Sequence, residues 1–94
     1  MNDFTAGLEA AKKNDYALAY SIWLPLAKSG NPYAQFYIAY FYLKGFHVKK
    51  SSEEVEFWLE KARKSDEKTI NEMITLFEKE QDIETYFELN KGFG

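Results

Sequence analysis

Apolar and small side chains recur at three- and four-residue steps along most of this chain, and a few punctuated places break the recurrence. Phe4, Leu8 and Ala11 make one stripe over residues 3–13, with Ala6 and Ala10 beside it as good helix formers. Gly7 interrupts that helix and permits a neighbour to come close. Asn14-Asp15 then supplies a stop and a new N-cap. Tyr16, Ala19, Tyr20, Trp23 and Ala27 predict a second helix over 16–28, kinked at Pro25, where the chain lacks a backbone donor and crowds the carbonyl four residues earlier.

Ser29-Gly30-Asn31-Pro32 is the clearest break: glycine closes one helix, asparagine caps the next and proline takes its first position. The third helix is expected over 32–44. On a wheel, Ala34, Ile38 and Tyr42 share one side with Ala39 at its edge, while Tyr33, Phe36, Tyr37 and Tyr40 gather on the other. A turn follows from Gly45 to Lys50. Ser51 with Glu54 is a capping-box pair, opening a fourth helix to about Arg63 with Val55, Trp58, Leu59 and Ala62 as its apolar stripe.

Asp66 is expected to cap a fifth helix that buries Ile70, Met73, Ile74 and Phe77. Asp82 is expected to cap a sixth, from Ile83 to about Asn90, that buries Ile83, Tyr86 and Phe87. No stretch alternates as a strand does. The fold class is therefore all-α.

Self-similarity sharpens this. A shift of 35 positions lays Trp23 on Trp58, Ala27 on Ala62, Ile38 on Met73 and Tyr42 on Phe77, a helical-hairpin period. Within it, Ala34-Gln35, Ile38-Ala39, Tyr42, Gly45, Val48, Trp58 and Lys61-Ala62 resemble the signature of the Sel-one-like repeats, relatives of the tetratricopeptide repeats. The likeness is strong over 30–65, partial over 15–30 and weak after 66. Ala39 and His47 stand where that family commonly has glycine, and in the third pair Thr69, Ile74 and Glu80 depart from it. The resemblance implies a single domain. It would be a right-handed superhelical stack of antiparallel helix hairpins, about 3–29, 30–65 and 66–91, whose first helices line a concave surface where partners bind.

Composition narrows the function. With 94 residues and 46% hydrophobic content, one compact core is feasible. There is no cysteine, so neither a disulfide framework nor a thiolate metal site is expected. The N-terminus does not resemble a secretory signal and no apolar run is long enough for a membrane span, which makes the cytoplasm the expected address. Net charge is −3, unevenly spread: residues 1–65 hold nine Lys/Arg against seven Asp/Glu, and residues 66–94 hold three against eight. An acidic C-terminal third repels a phosphate backbone and favours a basic protein partner.

The candidate partner-binding residues are Tyr33, Phe36, Tyr37 and Tyr40, with Lys44 beside them, because stiff aromatic rings with polar tips are favoured at interface hot spots. Glu78, Glu80, Asp82, Glu84 and Glu88 form a second, acidic candidate surface. His47 sits in a basic turn with no further metal ligands at suitable spacing. No nucleophile elbow or glycine-rich phosphate loop appears, and Glu53-Glu54 is accounted for by capping, so neither an enzyme nor a cofactor is expected. Two functions fit: an adaptor that binds a protein or peptide, or a dedicated inhibitor of the immunity-protein kind that blocks a toxin such as a basic nuclease. A homo-oligomer stays open, since an array's apolar ends either cap themselves or dimerise.

Overall fold

The computed structural model describes the backbone of residues 3–90 and the side chains of residues 3–79. Among these there are five α-helices and no strand: α1 (Asp3–Lys12), α2 (Tyr16–Lys28), α3 (Pro32–Lys44), α4 (Ser52–Arg63) and α5 (Lys68–Asn90). None is long and apolar enough to cross a membrane.

The turns explain why the helices stop where they do. A residue in the left-handed region ends each of the first four: Asn14 (φ 63°), Gly30 (φ 107°), Gly45 (φ 75°) and Asp66 (φ 58°). At Gly30 the amide of Asn31 reaches back to the Leu26 carbonyl at 3.0 Å while that of Gly30 reaches Ala27 at 3.1 Å, the paired bonds of a Schellman closure. Asn14 closes α1 in the same way, with Asp15 bonding to Ala10 and Asn14 to Ala11.

N-caps follow at once. Asp15 accepts from the Leu18 amide, Asn31 from Tyr33 and Ala34, and Ser51 from Glu54. The capping box at Ser51 is only half formed. Its amide donates to the Tyr42 carbonyl at 3.2 Å, and the Glu54 carboxylate instead accepts from the Trp58 indole at 3.1 Å.

Two expectations are corrected. Asp66 does not cap α5: it lies in the left-handed turn that ends α4, and the carbonyl of Glu67 accepts the first bond of α5, from Asn71 at 2.9 Å. The fifth and sixth expected helices are one, with no break at Asp82. An N-cap side chain is only a permissive signal there, because no glycine or proline precedes Asp82 to end the helix. The expected buried set Ile83, Tyr86 and Phe87 lies outside the described side chains. α2 meanwhile runs unbroken through Pro25.

Packing begins where the sequence is small. A methyl group on Gly7 would lie 2.3 Å from the indole nitrogen of Trp23, so only glycine lets α1 settle onto that ring. Phe4 near the start of α1 meets Trp23 near the end of α2, so the two helices fold back on each other. α3 is the central element: Ala34, Gln35, Phe36, Ile38, Ala39 and Phe41 are all buried, which leaves little of it as a free face. Gln35 is accommodated because its amide donates to the Ala27 carbonyl at 3.0 Å.

The repeat is visible in the burial, with one slip. Trp23 and Ala27 in α2 are buried like Trp58 and Ala62 in α4, at the 35-residue offset. For α3 and α5 the matching buried pairs are Ala34 with Ile70, Ile38 with Ile74 and Phe41 with Phe77, an offset of 36. Met73, the 35-offset partner of Ile38, is only partly buried.

Candidate functional site

Tyr33, Phe36, Tyr37 and Tyr40 lie along the side of α3 that meets α1 and α5. Phe4 of α1 has its ring centroid 6.0 Å from Tyr33 and 5.7 Å from Tyr37. Phe77 of α5 lies 5.3 Å from Phe36 and 6.0 Å from Tyr40. Burial separates their roles. Phe36 is 8% exposed and belongs to the core; the three tyrosines are partly buried. Tyr37 stacks on Trp23 at 4.8 Å and 22°, a base that fixes its ring.

Two apolar cavities flank the Tyr37–Tyr40 ridge. The one between α3 and α5 is about 230 Å³ and is lined by Phe36, Tyr37, Tyr40, Met73, Leu76 and Phe77. The one between α1 and α3 is about 360 Å³, and its walls include Leu8, Tyr16, Trp23, Phe46 and Lys12 together with the same two tyrosines. Leu76, 65% exposed, stands at the outer rim. Together the cavities form a groove floored by α3 and walled by α1 and α5.

The tyrosine hydroxyls divide sharply. Tyr16 donates to Asn14, Tyr33 donates to Glu67 at 3.4 Å, and Tyr20 and Tyr42 share a bond at 3.1 Å. Those of Tyr37 and Tyr40 reach no protein partner among the described residues. The Tyr20 bond, then burial, raises Tyr42 well above the ordinary tyrosine range.

No protein-family model, curated protein or solved structure matches this chain.

The remaining candidates disperse. Lys44 lies at the groove's edge, its Nζ 5.9 Å from the Tyr40 ring centroid. Glu78 is paired with Arg63 and ties α5 to α4. Glu80, Asp82, Glu84 and Glu88 lie outside the described side chains. His47 is exposed, with its ring 5.3 Å from Tyr20, and its φ of 65° puts it in a glycine-like conformation although it is not glycine.

Sequence reasoning missed Phe46, Leu76 and the α5 wall. Phe46 stacks on Tyr16 at 4.3 Å and 5° and lines the α1-side cavity. Its signal was its place just after a helix-closing glycine, where an apolar residue folds back onto the helix it follows. The α5 wall needed the 36-residue offset that pairs Phe41 with Phe77.

Proposed function

We propose that this chain is a protein-binding module, a right-handed superhelical stack of antiparallel hairpins of the Sel-one-like kind. Residues 3–29 and 30–65 make two hairpins, α5 closes the array, and the groove lined by α1, α3 and α5 is the binding face. One observation carries the reading: Tyr37 and Tyr40, whose hydroxyls reach no protein partner among the described residues, are the two residues shared by both apolar cavities. An apolar groove with a few convergent polar tips is what a recognition surface requires.

The adaptor reading is preferred to the inhibitor reading. The described member of the acidic set, Glu78, is committed to Arg63, which lessens the charge offered to a basic toxin. The test is affinity capture from host cells with the wild-type chain beside Tyr37→Ala/Tyr40→Ala and a Leu18→Ala control, Leu18 being exposed on α2. Partners retained by the control and lost by the double variant support the groove. Partners recovered equally by the wild type and both variants exclude it.

A further inference from the structure

We propose that the exposed side of α2 pairs, antiparallel, with the same side of α2 in a second copy of this chain, making a two-fold dimer. Ala17, Leu18, Ser21, Pro25 and Lys28 lie on the side of α2 opposite the buried Ala19, Trp23 and Ala27. All five are exposed, Leu18 by 48%. The repeat supplies the comparison. At the 35-residue offset the same side of α4 carries Glu53 for Leu18, Glu56 for Ser21, Glu60 for Pro25 and Arg63 for Lys28. Phe57, the exposed ring on α4, lies 5.1 Å from the ammonium of Lys61. Thus α4 presents charges to water, whereas α2 has no charged side chain from Tyr16 to Ala27, as a helix side covered by protein requires.

Charge names the occupant and its direction. The uncharged run is bounded by exposed Asp15 at its start, one of whose oxygens caps Leu18, and by exposed Lys28 at its end. Neither makes an ion pair among the described residues. An antiparallel copy brings Lys28 of each chain level with Asp15 of the other, at both ends at once, whereas a parallel copy sets like charge on like. Matching those ends puts the two-fold axis between Ser21 and Ile22 and Leu18 level with the partner's Pro25. Ser21 is small, and its hydroxyl already donates to the Leu18 carbonyl at 2.8 Å, so the crossing strands no donor. None of the five side chains lines either groove cavity, so the dimer is independent of the groove. One helix side is smaller than a standard interface, which makes the association micromolar or weaker.

The test is sedimentation equilibrium of the full chain from about 1 μM to about 1 mM, where a reversible monomer–dimer equilibrium is expected. Leu18→Glu/Ser21→Glu gives α2 the residues that α4 has at these positions and weakens the dimer about tenfold or more. Lys28→Glu, which sets an acid against the partner's Asp15, weakens it several-fold. Leu76→Glu, a charge on the groove rim, leaves it unchanged. Because the chain has no cysteine, a single introduced one reports the geometry. Under oxidation Ser21→Cys cross-links to its mate beside the axis, and Pro25→Cys, about 10 Å from its own mate along the helices, does not. A monomer at every concentration overturns the proposal. So does a dimer that Leu76→Glu dissolves and Leu18→Glu/Ser21→Glu does not, or one in which Pro25→Cys cross-links as readily as Ser21→Cys.

Discussion

The indole nitrogen of Trp23 donates to the backbone carbonyl of Phe4 at 3.1 Å, and this bond pins α1 against α2. Gly7 lies beneath the same ring. Gly7→Ala sets two effects against each other: alanine favours a helix over glycine by about 1 kcal/mol, whereas a methyl group 2.3 Å from a fully buried indole forces the helices apart. The clash wins. We expect a net loss of ~1–3 kcal/mol by urea unfolding, and an unchanged midpoint would show that α1 is not seated as described.

His47 holds a left-handed backbone conformation that costs a non-glycine residue about 1–2 kcal/mol. His47→Gly removes that cost, loses the ring contact with Tyr20 and adds freedom to the unfolded chain. The expected result is a small gain, about 0.5 kcal/mol, read as a rise in thermal midpoint. A fall would mean that the Tyr20 contact outweighs the backbone term.

Tyr42 and Tyr40 should respond differently to loss of the hydroxyl. Tyr42→Phe breaks the bond to Tyr20 and is expected to cost about 1 kcal/mol. Tyr40→Phe and Tyr37→Phe break none among the described residues and should stay within ~0.5 kcal/mol of the wild type. Equal effects at all three positions would remove the basis for assigning Tyr37 and Tyr40 to a partner.

Tyr42 also predicts an alkaline limb. Its folded pKa is raised, so the folded chain holds the phenolic proton more tightly than the unfolded chain does. The stability this contributes is fully present below the unfolded tyrosine value of about 10 and is lost as pH rises beyond it. Denaturant midpoints measured across that range should fall less steeply in Tyr42→Phe than in the wild type.

Phe77 joins α5 to the groove floor and is almost fully buried. Phe77→Ala is expected to cost ~3–5 kcal/mol. Hydrogen exchange should show protection lost first in α5, the helix that closes one wall. Uniform loss across α1–α5 would point to a single cooperative unit.

The helix boundaries were legible in the sequence because they depend on local chemistry. Gly30-Asn31-Pro32 and Ser51 state where chains turn and which donors get capped, and those signals act within a few residues. Asp82 misled for the same reason, since a cap side chain does not by itself end the helix that reaches it. The aromatic side of α3 was also legible, but the fate of each ring was not. Phe36 became core and Tyr37 became groove because Phe77 and Trp23, 41 residues on and 14 back, came to lie against them.

The sequence by itself determined an all-helical chain, its turns and the 35-residue pairing of Trp23 with Trp58, all consequences of short-range bonding and of periodic burial. Only the tertiary structure decided that α5 runs unbroken, that its register slips by one, and that it and α1 stand on either side of Tyr37 and Tyr40. Those outcomes depend on how whole helices pack, and side-chain volumes such as the missing methyl of Gly7 set that packing only once the helices meet.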